Sequence, residues 1–224
     1  MPFSLLVERW GASYLSFVPE LPVCQFEATD LDALVEAALQ VVAAHLDWLC
    51  RHGLSAPACG TIEVRVSELW EALPGGRGPC FAADRLAPST QAIDEALQIG
   101  EAALVELVEL YRLAHPAWQA ASPRPAGWSP DEILRHVAEL DIWYASRLSR
   151  SGRLEVDVPA DPVAAVRVAG RAFASTVRSI PVERRGTVVE HDGEEWTLAK
   201  ALRRRTGHLR EHAPQLAVWI PEGR

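Results

Sequence analysis

At 224 residues, 49% of them hydrophobic and 23% charged, the chain has a globular composition and room for one large domain or two small ones. A net charge of −8 argues against unassisted binding to a phosphate backbone, and no apolar run approaches the ~20 residues that span a bilayer, so neither nucleic acid nor a membrane is an expected partner. The N-terminus lacks the basic stretch and uninterrupted apolar segment of a secretory signal, and a cytoplasmic location is expected.

Strand signals dominate the first quarter. Phe3 to Arg9 and Ser13 to Val18 are short, rich in β-branched and aromatic residues, and separated by Trp10-Gly-Ala12, which predicts a hairpin. Pro19-Glu-Leu-Pro22 ends the second strand, since proline cannot donate to a ladder. Val23 to Ala28 reads as a third strand. Thr29 or Asp30 then caps a helix over Leu31 to His52, with Leu34, Val35, Ala38, Val42, His45 and Leu49 among the residues of its apolar stripe. Gly53 stops this helix, and Thr61 to Val66 reads as one more strand. His45 and His52 are read as structural.

This β-β-β-α order, with the hairpin Gly11-Ala-Ser-Tyr14, the segment Val18-Pro-Glu-Leu-Pro22 and the helix opening Ala28-Thr-Asp-Leu-Asp-Ala-Leu-Val-Glu-Ala-Ala38, resembles the HicB-like antitoxin domain. The resemblance implies a protein-interaction module. Val23-Cys24 stands where that family carries glycine-cysteine, and no DNA-binding segment follows, so a toxin partner is not expected; a homodimer is allowed for.

The four cysteines, Cys24, Cys50, Cys59 and Cys80, form no C-x-x-C pair and read as reduced, buried or semi-buried thiols. The run from Leu73 to Ser89 is dense in glycine and proline. Its Gly75-Gly-Arg-Gly78 lacks the lysine and Ser/Thr of a phosphate loop, so it reads as a linker, with a domain boundary at residue 87. Residues 1–87 carry most of the acidic excess.

Four helical segments follow. Ile93, Leu97, Gly100, Leu104, Leu107 and Tyr111 form a bundle-type seam that Pro116 ends. Ser129, Pro130 and Glu132 make a capping box for a helix reaching about Arg150. Asp161-Pro162 opens the third, whose seam is Val163, Val166, Gly170, Phe173, Val177 and Ile180. An Asp192-Gly193 hairpin precedes the last, Thr197 to Leu216. The longer connections are expected between the first two helices and before the fourth. The fold class is therefore α+β with two domains: a small β-β-β-α(β) domain over 1–87 and an all-α four-helix bundle over 88–224.

The last helix carries His208-Leu-Arg-Glu-His212. Histidines four apart lie on one face with Cβ atoms roughly 5–6 Å apart and can share one metal ion. Leu209 replaces the glutamate of an H-E-x-x-H protease. A weak internal echo brings in a third: Trp128 and Trp196 each have a leucine six residues on, His136 lies eight after Trp128, and His208 and His212 lie twelve and sixteen after Trp196. These offsets differ by fours, so all three histidines project from the corresponding helical face.

Gly127-Trp-Ser-Pro-Asp-Glu-Ile-Leu-Arg-His136, then Glu195-Trp-Thr-Leu and His208-x-x-x-His212, is similar to the DinB/YfiT-like superfamily. The resemblance implies a divalent metal on His136, His208 and His212, and activity of the thiol-dependent transferase or isomerase kind. Nitrogen ligands suit zinc, nickel or iron. Glu139 and Glu211 are candidates to orient the rings, and Arg204 and Arg205 to clamp an anionic substrate or a low-molecular-weight thiol. No catalytic residue is assigned. His115, before a proline at a helix end, and His191, beside the Asp-Gly turn, carry no expected role. Two functions stay open: a metal-dependent transferase or hydrolase acting on a small molecule, and a non-enzymatic binding or regulatory protein with a structural or sensory metal.

Overall fold

Strand β1 (Phe3–Trp10) is buried on both faces, so its sheet has to be covered twice. The computed structural model describes the chain except residues 1, 23, 58–59, 73–77, 115, 120–126 and 221–224, which leaves Val23, Cys59, His115 and the first five residues of the glycine-rich linker outside the described residues. The architecture is α+β: a four-stranded sheet near the N-terminus, then helices. β1 turns through Gly11 into β2 (Ser13–Phe17), and β3 (Gln25–Ala28) adds to β2, both pairings antiparallel. β4 (Val64–Glu71) returns parallel to β1, giving the order β3-β2-β1-β4. It starts later than expected and runs five residues further, because its partner β1 extends to Trp10. A bulge interrupts the β1–β4 register after Leu5, where Ser67 donates from its side chain to the Leu5 carbonyl.

Helix α1 (Leu31–Arg51) covers one face. Asp30, not Thr29, caps it, accepting from Ala33 N at 2.7 Å, and Gly53 at φ +64° ends it. Leu34, Ala38, Val42 and Leu49 join Phe3, Leu5 and Val7 in one cluster, each large side chain contributing roughly 1.5–3 kcal/mol by its burial. Among the described residues α1 alone is long and apolar enough to cross a membrane; its buried stripe packs on the sheet. The other face of β1, with Leu6 and Glu8, turns toward the helices of the second half.

Those helices are α2 (Thr90–Leu113), the short α3 (Pro116–Gln119), α4 (Pro130–Ser146), α5 (Pro162–Ser179) and α6 (Leu198–Ala217). Side-chain caps start the four long ones: Ser89, Ser129 with its full capping box, Asp161 and Thr197. Neighbours in the bundle are α2–α6, α6–α4, α4–α5 and α5–α2. Their directions follow from which ends meet. Gly100 lies opposite Arg205 and Glu106 binds Arg210, so α2 and α6 run parallel. Tyr111 at the end of α2 binds Asp131 at the start of α4, while Arg178 at the end of α5 pairs with Asp94 near the start of α2. Helices α4 and α5 are thus both antiparallel to α2 and parallel to each other. The order is up-down-down-up.

That order corrects the expected connections. Two parallel neighbours need a link that runs back along the bundle, and residues 147–161 provide it. Accordingly α4 stops at Ser146 in a turn rather than continuing to Arg150, after a length of about 25 Å. The hairpin β5 (Val189–His191) and β6 (Glu194–Trp196) forms as expected, on Asp192 and Gly193 at φ +54° and +78°.

The boundary placed at residue 87 is not a gap in the packing. One apolar cluster joins Leu5, Val7 and Leu49 to Leu104, Leu134, Val166 and Leu216, so both halves share a core. Of the described cysteines, Cys24 and Cys80 are buried and Cys50 is exposed, all free. Burial pushes the Cys24 thiol up to about 12, which leaves it unreactive.

His45 is buried under this core and shares its Nε2 hydrogen with the Pro22 carbonyl at 3.1 Å. Burial, reinforced by Arg210, lowers its pKa to about 4. An unfolded histidine titrates near 6.5, so this ring contributes no penalty above that pH and an increasing one as pH falls toward 4. Wild-type protein should lose about 2 kcal/mol more stability than His45→Gln between pH 7.5 and pH 5, measured by urea unfolding at each pH.

Candidate metal centre

The histidines meet because α6 lies antiparallel on α4 in a register set by one buried ion pair. Arg205 donates from Nε and from an Nη to the two carboxylate oxygens of Asp141, both at 3.0 Å. Asp141 is fully buried and Arg205 2% exposed. Burial raises the Asp141 carboxyl pKa against the pull of the guanidinium. Room for Arg205 comes from α2: a Cβ on Gly100 would stand 2.4 Å from its Nη1. His136 lies five residues before Asp141 on α4, and His208 and His212 lie three and seven after Arg205 on α6. In an antiparallel pair these offsets bring the rings to the same level.

His208 Nε2 sits 3.0 Å from His136 Nε2 and 2.9 Å from His212 Nε2. The ligand atoms of the three rings all lie within 4.8 Å of one another. An imidazole nitrogen carries one lone pair or one hydrogen, so His208 Nε2 cannot complete both contacts as two-centre hydrogen bonds. A shared cation would accept all three lone pairs. The rings are in the charge state such an ion needs. Burial, together with the two neighbouring rings, pushes His208 down to about 2, and burial also lowers His136 and His212. His212 Nδ1 donates to Gln215 Oε1 at 2.8 Å, which fixes its hydrogen on Nδ1 and leaves Nε2 free to ligate. His208 Nδ1 is buried without a partner among the described residues. The donor set fits a divalent metal: three neutral nitrogens, one of them oriented by an amide.

Above the rings is an open pocket of ≈660 Å3, walled by Trp128, Ile133, Val218 and Trp219 with Glu211 and Gln215 at its edge. Trp128 lies against His136 at 4.5 Å between ring centroids and stacks toward His212 at 6.1 Å. Tyr144 approaches His208 from the buried side.

The other expected site residues fall elsewhere. Arg204 donates to Glu8 at 2.6 Å and Arg205 to Asp141, so both guanidiniums are engaged by carboxylates and neither lines the pocket. Glu211 reaches the pocket but accepts from Gln25, and no hydrogen bond joins it or Glu139 to a ring among the described residues. Gln215 takes the orienting part instead; its position three after His212, on the same face, was the available signal. Glu8 and Asp141 left no local signal, because each is identified only by the distant arginine it meets. His191 packs at the Arg147 carbonyl, outside the site.

Breaking the Arg205–Asp141 pair leaves a buried charge unpaired. Arg205→Met should cost about 3–5 kcal/mol in chemical unfolding, and the double variant Arg205→Met, Asp141→Leu should recover most of that loss. No family model, curated protein or solved structure matches the chain.

Proposed function

We propose that the chain is a cytoplasmic divalent-metal protein of the DinB/YfiT-like kind, working as a metal-dependent transferase or hydrolase on a small molecule that enters beside Trp128. The observation that carries this reading is the convergence of three neutral imidazole nitrogens, 2.9 and 3.0 Å apart, under an open pocket. His136, His208 and His212 would hold the ion, which with three protein ligands supplies Lewis acidity toward a carbonyl, a water or a thiol. The unpaired thiols of Cys24, Cys50 and Cys80 suit a reducing compartment.

The chain's own groups divide the remaining work. Gln215 keeps the His212 hydrogen on Nδ1, away from the ion. Trp128 and Trp219 offer apolar walls for the body of a substrate. Because Arg204 and Arg205 are neutralised by Glu8 and Asp141, the described walls hold no guanidinium for a carboxylate, and Glu211 brings negative charge instead. These features favour a neutral substrate with an apolar body over the anionic one that Arg204 and Arg205 suggested.

A second reading has its own support. Edge strand β4 leaves Leu69 49% and Trp70 50% exposed, a surface suited to a protein partner, with the metal then structural or sensory and the N-terminal sheet acting as a HicB-like interaction module.

Purified protein should carry about one equivalent of zinc, nickel or iron, and His208→Ala roughly a tenth of that or less; Gln215→Ala should weaken affinity about 10–100-fold. Equal metal in wild type and His208→Ala would overturn the site. Activity is tested by offering the metal-loaded protein a panel of low-molecular-weight thiols with small neutral electrophiles. Turnover that disappears in His208→Ala supports the enzyme, whereas a flat response with one stoichiometric protein partner supports the second reading.

A further inference from the structure

At the opposite end of the bundle from the histidines, the C-terminal ends of α4 and α5 and the β5–β6 hairpin enclose a second pocket of ≈370 Å3. Its floor is apolar, made by Leu148, Ile180, Trp196 and Leu198. Arg150 and Arg184 stand on its rim, and no aspartate or glutamate lines it. The side chains of Arg150 and Arg184, like those of several other exposed arginines, have no hydrogen-bond or ion-pair partner among the described residues.

A second observation comes from the floor. Trp196 is 1% exposed, and its indole Nε1 is buried with no acceptor among the described residues. The indole N–H is closed off from solvent, so the ring meets the pocket as part of an apolar floor. The helix ends weigh on both sides. The last turns of α4 and α5 favour positive charge nearby, consistent with the arginines, while Leu198 opens α6, whose N-terminal end favours an anion.

We propose that this pocket binds a small molecule with a flat apolar body and one oxyanionic group, a carboxylate or a phosphate. The body lies on Leu148, Ile180, Trp196 and Leu198, and the two guanidiniums hold the oxyanion. The site is independent of the metal, since no residue is shared with the histidine pocket.

The test titrates the full-length protein with benzoate, phenyl phosphate, benzamide and inorganic phosphate, followed by calorimetry and tryptophan fluorescence. Both aryl anions should bind, with benzamide and inorganic phosphate at least about tenfold weaker. Arg150→Gln with Arg184→Gln, two exposed side chains whose exchange should leave the melting temperature unchanged, should weaken the aryl anions by about tenfold or more. His208→Ala should leave that affinity unaltered. The proposal is overturned if neither aryl anion binds, if the double arginine variant binds them as tightly as wild type, if inorganic phosphate matches phenyl phosphate, or if His208→Ala abolishes binding.

Discussion

The bidentate pair between Arg205 and Asp141 holds the molecule in register. A guanidinium and a carboxylate taken out of water lose several kcal/mol of hydration each, and they recover it only when both donors meet both oxygens. That requirement tolerates no sliding of α6 along α4. It also explains why Gly100 has no side chain, since the space a methyl group would occupy belongs to Arg205 Nη1. The histidines inherit this precision. A ring displaced by one residue along either helix would leave the group, and three neutral nitrogens within 4.8 Å would become two.

The same helix joins the bundle to the sheet. Lys200 binds Glu194 and the carbonyls of Gly78 and Glu195; Arg203 reaches Asp84 and Glu8; Arg204 reaches Glu8; Arg210 binds Glu106 and lies over Trp48 of α1. Glu8, with no exposed surface, accepts from Trp10, Arg203 and Arg204 together. A strand buried on both faces can keep a carboxylate only if cations arrive from the covering layer, and α6 supplies them. The sheet therefore acts as more than an appended module, since Glu8 neutralises cations that would otherwise stand one turn before the histidines.

The up-down-down-up order separates the chemistry of the bundle into two ends. At one, the start of α4 and the end of α6 present imidazoles, indoles and one carboxylate. At the other, the ends of α4 and α5 present the guanidiniums of Arg150 and Arg184 beside an apolar floor. The crossover 147–161 makes this possible, because only a link running back along the bundle brings the ends of α4 and α5 together.

What the chain determined by itself was local. Side-chain caps at Asp30, Ser129, Asp161 and Thr197, the glycine stop at Gly53 and the Asp192-Gly193 turn depend on backbone groups a few residues away, and all could be read in order along the sequence. The i, i+4 spacing put His208 and His212 on one face, and the tryptophan offsets brought His136 into the same reading. The partner of a buried charge is different, because it is chosen by packing between residues up to 196 positions apart. Arg204 and Arg205 read as a clamp for an anion; in the fold they and their neighbour Arg203 face Glu8, Asp141 and Asp84 on three separate elements. Helix direction, the shared core across residue 87 and the pocket at each end likewise belong to the tertiary structure, because each depends on which distant surfaces are driven together to leave water.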